Sequence, residues 1–151
     1  MKVAEIMHEF PACCTELDTA QHAAELMKEQ HAGALPVVER NGGGTLIGVV
    51  TDRDLCLRVI AEGRNPAKVQ VRECMTGSPV FCRLEDDAEV ALNLMKEHHI
   101  RRVPVVDEEQ RICGMVSFAN LVANHANPDQ VFEMLKAVSV PTPEAIQIKH
   151  A

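Results

Sequence analysis

Apolar residues along this chain recur in two rhythms, and the same succession of rhythms occurs twice. A short extended piece, Ala12 to Thr15 in the first pass and Val80 to Arg83 in the second, leads into a segment with helical spacing. Ala20, Ala23, Ala24 and Met27, and then Ala88, Ala91, Leu92 and Met95, fall on one face of a 3.6-residue period. Asp18 with Gln21, and Asp86 with Glu89, have the spacing of a capping box at the head of each helix. Leu35-Pro36-Val37-Val38 and Val103-Pro104-Val105-Val106 follow, then a polar turn, then the apolar runs Leu46 to Val50 and Ile112 to Val116. Each set predicts two strands joined by a turn. The proline confines the start of the first strand of each pair to an edge or an irregular end. A second helix is predicted from about Asp52 to Glu62, stopped by Gly63, and its counterpart from Phe118 to about His125, stopped by Asn127-Pro128.

The duplication extends to identities. Val3 to Val38 aligns with Val71 to Val106 without a gap, pairing Met7 with Met75, Pro11 with Pro79, Cys14 with Cys82, Asp18 with Asp86, Met27 with Met95, His31 with His99 and Pro36 with Pro104. The first copy is then longer by two residues in its Asn41-Gly42-Gly43-Gly44 turn, an insertion that a hairpin tolerates. Neither copy alone buries much core, so an α/β (α+β) fold is expected, with two pseudo-symmetric β-α-β-β-α repeats packed sheet against sheet as one module. The boundaries read as 1–63 for the first repeat, 64–70 (RNPAKVQ) for a linker and 71–126 for the second repeat. Residues 127–151 form a C-terminal helix, about Asp129 to Val138, and a tail that begins near Pro141-Thr142-Pro143.

Charge and cysteine narrow the function classes. Lys and Arg number 15 against 22 Asp and Glu, a net charge of -7 that repels phosphate backbones and anionic lipid and argues against a nucleic-acid partner. No apolar run approaches the roughly 18 residues of a membrane span, and Glu5, His8 and Glu9 interrupt the place where a signal peptide needs an apolar block. A cytoplasmic protein with no membrane association is expected. The six cysteines, Cys13, Cys14, Cys56, Cys74, Cys82 and Cys113, contain no C-x-x-C pair, and the histidines lack metal-ligand spacing. They read as reduced, mostly buried small hydrophobes with no metal site. A redox role for Cys13, Cys14 or Cys82 is the minor alternative.

Candidate chemistry concentrates where strand meets helix. Leu46 to Leu55 reads LIGVVTDRDL, and its partner, Ile112 to Leu121, reads ICGMVSFANL, placing Ser117 on Thr51 and Asn120 on Asp54. Taken alone, Thr51-x-x-Asp54 reads as an N-cap with an acidic third residue, worth about 0.5–2 kcal/mol to the helix. The tandem order, the Ile6-Met7 and Cys74-Met75-Thr76 openings, LPVV and VPVV, and GVVTDRDL together resemble a pair of CBS domains, a Bateman module, over about residues 1 to 125. The resemblance implies a stand-alone, non-catalytic regulatory module that binds an adenosine-type ligand in clefts between the paired halves. AMP, ADP or ATP come first, with S-adenosylmethionine or NAD in the same class, and no catalytic cofactor is implied.

The resemblance assigns the ribose to Gly48, Thr51 and Asp54, and in the second copy to Ser117 and Asn120. A carboxylate suits a vicinal diol because it accepts two hydrogen bonds, whereas an amide accepts one and donates another without the charge. The base would lie against Ala34, Leu35, Pro36 and Val37, and against Val103, Pro104 and Val105, where the backbone of an edge strand reads the adenine rim; several of these are core positions as well. The phosphates fall to Arg101 and Arg102, which replace Gly33-Ala34 of the first copy, with solvent-facing arginines as the alternative. Arg53, Lys68 and His98-His99 are weaker candidates, since His99 matches His31 at a helix C-terminus. The apolar helix faces and the resemblance both point to a homodimer whose output is read by an unidentified regulated protein. A ligand-free interaction scaffold is the rival if Asp54 merely caps its helix.

Overall fold

The computed structural model describes residues 1–124 and 127–139. The chain opens with a one-turn helix α1 (Val3–Ile6) and a two-residue strand β1 (His8–Glu9), then runs β2 (Cys14–Thr15), α2 (Ala20–Gln30), β3 (Ala34–Val38), β4 (Leu46–Thr51) and α3 (Asp52–Leu55). α3 continues as a π-helical turn, Cys56–Ile60. A 3-10 turn (Val71–Glu73) then leads into the repeat of the series: β5 (Thr76–Gly77), β6 (Cys82–Arg83), α4 (Ala88–His98), β7 (Arg102–Val106), β8 (Ile112–Ser117) and α5 (Phe118–Asn124). A last helix, α6, spans Pro128–Ser139. The β-α-β-β-α order expected from the sequence is present twice. The predicted end of α5 at His125 and the tail from Pro141 lie outside the described residues.

Two four-stranded sheets form, in the orders β2-β3-β4-β5 and β1-β8-β7-β6. In the first, β3 pairs antiparallel with β4 (Ala34 opposite Thr51, Pro36 opposite Val49) and parallel with β2 (Cys14 opposite Val37). β3 is therefore interior from Val37 onward, while its start, Ala34–Pro36, is the end unpaired on the β2 side that the proline implied. Its proline is tolerated because β2 is only two residues long and pairs from Val37 onward, one position beyond Pro36.

The helix caps differ from the expected boxes. Thr19, not Asp18, caps α2, its side-chain oxygen accepting the His22 N–H at 3.1 Å. The Asp18 and Asp86 carboxylates turn the other way and accept the Thr15 and Arg83 N–H groups at 2.7 and 2.8 Å, fixing the bend between strand and helix. α2 buries Ala20, Ala23 and Met27 and leaves Ala24 exposed, while α4 buries all four of its expected positions. Both helices end on a left-handed histidine, His31 (φ 50°) and His99 (φ 54°), whose N–H bonds the carbonyl of Met27 or Met95. The position favours glycine, so these two residues carry a backbone cost. Gly63, with φ 67°, closes the turn after the π-helical segment without that cost.

Contacts divide the described chain into two compact units. One holds Glu9–Pro79 and Val106–Gly114; the other holds Met1–His8, Val80–Val105 and the described residues from Met115. In each, the segment that opens a sequence copy is packed on the strands and helix of the other copy. Val3 N–H donates to the Asp86 carbonyl at 2.8 Å, and the duplicated bond joins Val71 N–H to the Asp18 carbonyl at 2.8 Å. Residues 64–70 are held down as well. Ala20 N–H donates to the Val69 carbonyl, and Glu73, which accepts the Gln70 N–H and meets Arg64 at 2.6 Å, has its carboxyl held below the usual range by those two partners in that order.

The cores repeat nearly residue for residue. One contains Cys14, Ala20, Ala23, Met27, Leu35, Val37, Val50, Leu55 and Val71, and the other their counterparts Cys82, Ala88, Ala91, Met95, Val103, Val105, Val116, Leu121 and Val3. Val59, Val69 and Cys74 complete the first, and Ile6, Leu92 and Met134 of α6 complete the second. Truncating fully buried Val3 removes two methyl groups from a core built by residues far along the chain. Val3→Ala is therefore expected to cost about 2 kcal/mol. Hydrogen exchange should show the lost protection in α4 and β8, with β3 and β4 unaffected; the reverse distribution would contradict the packing described.

Candidate functional site

The first-repeat candidates meet where β4 turns into α3. Thr51 is the N-cap: its Oγ1 accepts the Asp54 N–H at 3.1 Å, and Asp54 Oδ2 accepts the Thr51 N–H at 2.9 Å. The capping function read from the spacing is thus realised in full. It uses only one carboxylate oxygen. Asp54 Oδ1 faces Arg58 Nε at 3.8 Å, and the Asp54 side chain is 15% exposed. That oxygen keeps lone pairs for donors arriving from solvent.

Arg58 is a participant that the spacing analysis did not single out. The half-exposed guanidinium lies one helical turn from Asp54 and donates to the carbonyls of Cys74 and Met75 at 3.4 and 3.2 Å. Arg58 sits within the π-helical segment that follows α3 directly, whereas its counterpart Asn124 lies in the α-helical α5. The i,i+4 spacing of Asp54 and Arg58 was legible in the sequence; the carbonyls it reaches belong to the next repeat's opening segment and were not.

Gly48 lies on β4 opposite Gly77 of β5. A Cβ there would meet Met75 Sδ at 2.8 Å and the Thr76 carbonyl oxygen at 2.9 Å. The close backbone approach that glycine permits is made by the chain's own residues 75–76.

In the second repeat, Ser117 and Asn120 reproduce the cap with a different balance of donors. Asn120 Oδ1 accepts both the Ser117 N–H at 2.8 Å and the Ser117 hydroxyl at 2.6 Å, while Ser117 Oγ accepts the Asn120 N–H at 3.1 Å.

The strand candidates divide by face. Leu35, Val37, Val103 and Val105 point into the two cores, so only their backbone is available to a ligand. Ala34 and Pro36 alternate to the opposite face of β3 and are buried too, as is Pro104 on β7. Because β2 pairs only with Val37 and Val38, the edge of Ala34–Pro36 away from β4 has no strand beside it among the described residues. Arg101 and Arg102 are exposed at the start of β7, and the Arg101 carbonyl accepts the Phe118 N–H at 2.8 Å, as the Gly33 carbonyl accepts that of Asp52 at 2.9 Å. No ion pair engages either guanidinium among the described residues. His99 is committed elsewhere, its Nδ1–H donating to the Ala137 carbonyl of α6 at 2.7 Å.

The thiols are poorly suited to nucleophilic work. Burial pushes Cys14 and Cys82 up to about 12, aided by Asp18 and Asp86, and pushes Cys13 up to about 11. All six cysteines are free, and of them Cys56 is the exposed one. Among the described residues, no three His, Cys, Asp or Glu side chains come together to hold a metal ion. No described helix is long and apolar enough to cross a membrane.

Comparison with known proteins places this geometry among relatives. The CBS domain family model matches residues 3–61 and 71–126. The CBS domain-containing protein YhcV of Bacillus subtilis (strain 168) is 38% identical over 141 residues, covering 91% of this chain and 94% of its own. Hypoxic response protein 1 of Mycobacterium tuberculosis (strain ATCC 25618 / H37Rv) is 32% identical over 137 residues, covering 91% and 93%. The crystal structure of Hypoxic Response Protein I with two coordinated zinc ions matches with a TM-score of 0.75 at 30% identity, over 83% of this chain and 99% of that one. The crystal structure of CBSX2 in complex with AMP matches with a TM-score of 0.68 at 31% identity, over 81% and 93%.

Two outcomes follow from this geometry. Gly48→Ala forces the Thr76 backbone to move and should lower the urea midpoint by the equivalent of about 1–3 kcal/mol; an unchanged midpoint would mean that β5 yields freely. Alkylation with iodoacetamide at pH 8, read by mass spectrometry, should modify Cys56 first and leave Cys14, Cys74 and Cys82 untouched until the protein unfolds. Rapid native-state labelling of Cys14 or Cys82 would instead revive a thiol role.

Proposed function

This chain belongs to the CBS domain family, and on that footing we propose that it is a non-catalytic regulatory module whose ligand is an adenine nucleotide, AMP, ADP or ATP. The observation that carries the reading is the divided carboxylate of Asp54: one oxygen completes the cap on Thr51, and the other remains available, partly exposed, to a ribose diol. AMP in the 31%-identical CBSX2 structure supports the ligand class. Ala34, Leu35, Pro36 and Val37 offer backbone groups to the base, as do Val103, Pro104 and Val105, and Arg101 and Arg102 supply charge for phosphates. Ligand occupancy shifts a conformational equilibrium that another protein reads. Exposed Ile60, Val90 and Val122 favour a homodimer, and six free thiols fit a reducing compartment such as the cytoplasm.

The completeness of the Thr51–Asp54 cap also favours a second reading, a scaffold without a ligand, because the cap explains those residues by itself. Titration calorimetry separates the two. Asp54→Ala is expected to weaken adenosine, AMP and ATP alike by about 1–3 kcal/mol. Arg102→Ala should weaken AMP and ATP far more than adenosine, since only the phosphates lose a partner. Absence of binding by all three ligands to the unmodified protein would favour the scaffold, and equal losses for adenosine and ATP in Arg102→Ala would assign the arginine to the fold.

A further inference from the structure

Of the six asparagines in the chain, one precedes a glycine: Asn41-Gly42, in the turn between β3 and β4. Asn65 and Asn127 precede proline, which has no N–H, and Asn93, Asn120 and Asn124 lie within α4 and α5 ahead of leucine or histidine. Asn41 and Gly42 are both exposed. Gly42 carries no Cβ to hinder its own peptide nitrogen, and a Cβ built there would meet nothing within 4 Å, so the Asn41 side chain can be approached freely. Asn41 Oδ1 accepts the Gly43 N–H at 2.9 Å, and Nδ2 donates to Glu39 Oε2 at 2.8 Å. The first of these bonds polarises the side-chain carbonyl and is in place to meet the negative charge that an attack on Cγ puts on its oxygen. The same turn is fastened to the one between β7 and β8. The Gly44 carbonyl accepts the Ile112 N–H and the Gln110 carbonyl accepts the Leu46 N–H, both at 3.0 Å, on either side of the bridge between Thr45 and Arg111.

We propose that Asn41-Gly42 is a site of spontaneous covalent modification, converting to aspartate and isoaspartate with water as the co-reactant, and that the product loosens the junction between the two turns. The Gly42 nitrogen bonds to Asn41 Cγ, the Cγ–Nδ2 bond breaks, and the proton of the Gly42 N–H leaves with the amide nitrogen as ammonia. Water then opens the resulting succinimide at either carbonyl. Opening at the backbone-derived carbonyl routes the chain through Cβ and Cγ and gives isoaspartate; opening at the other gives aspartate. Water is taken up and ammonia released, and nothing is oxidised or reduced. Either product replaces the donor that faces Glu39 with a carboxylate, setting two like charges where a hydrogen bond of 2.8 Å stood. Isoaspartate also lengthens the backbone just ahead of Gly44, whose carbonyl holds Ile112.

Incubation of the full chain at neutral pH, followed by peptide mass spectrometry, tests this, because the conversion adds about 1 Da at the modified residue. Asn41 should convert at least about tenfold faster than any other asparagine, and Asn41→Gln, which needs a larger ring, should leave the turn unmodified. Because the turn is exposed, the folded chain should convert at a rate within about tenfold of the same chain unfolded in urea. A folded-chain rate further below that overturns the site, since the turn then protects Asn41, and so does faster conversion at another asparagine. Hydrogen exchange reads the consequence. In the converted protein the Leu46 and Ile112 amides should exchange about tenfold faster, with the amides of Val37 and Val50 unchanged. Asn41→Asp, which supplies the charge without the longer backbone, should move the same two amides in the same direction. Unchanged exchange at Leu46 and Ile112 in the converted protein overturns the effect on the junction.

Discussion

Two valines separated by almost half the chain hold this architecture together. Val3 and Val71 are wholly buried, each in a core whose strands and helix come from the other sequence copy, and each is anchored by a backbone bond to the aspartate carbonyl ahead of α4 or α2. Strands of two residues, β1 and β5, then extend the sheets from the same segments. A copy of about 65 residues buries a small share of its apolar surface and is marginal by itself. Borrowing its opening segment from elsewhere in the chain gives each core a valine and each sheet an edge strand, so neither copy reaches its full complement of contacts from its own sequence alone.

That borrowing also shapes the candidate site. Because β5 lies against β4, Gly48 must be small, and because the 74–75 carbonyls lie near α3, Arg58 is drawn back toward Asp54. The residues proposed to face a ligand are therefore placed by the same contacts that complete the fold. The cap itself has two uses. Binding the Thr51 N–H fixes the carboxylate rotamer, so a ligand meeting Oδ1 need not pay again to order that side chain.

Much of this was legible in the sequence because its signals are local. Helical spacing located α2 and α4, turn residues separated β3 from β4, and the internal duplication announced the repeated order. Thr51 and Asp54 were found because an N-cap leaves a spacing signature. The exchange of opening segments was not legible, since β1 and β5 are too short for a periodic pattern and their partners lie in the other copy. The cap assignments at Asp18 and Asp86 went astray for a related reason. An aspartate one residue ahead of the true cap satisfies the same spacing, and only three-dimensional geometry shows that its carboxylate serves the preceding bend. Pro36 confined the start of its strand to an edge or an irregular end, and β2 indeed stops short of it; that the rest of β3 is interior could not be seen in one dimension.

The duplicated sequence provides its own internal control on which positions are tied to packing. Core partners match in kind, with Cys14 and Cys82, Ala20 and Ala88, Met27 and Met95, and Leu55 and Leu121 filling equivalent places, and even the strained histidines His31 and His99 agree. Divergence gathers instead around the strand-to-helix junctions: Asp54 against Asn120, Gly33-Ala34 against Arg101-Arg102, and a π-helical turn with Arg58 against an α-helix. Both asparagine and aspartate close a serviceable cap, so the helix does not require the difference. What the difference changes is the chemistry presented outward, a charged acceptor in one repeat and a neutral donor in the other. The common core leaves that outward chemistry free to differ between the two junctions.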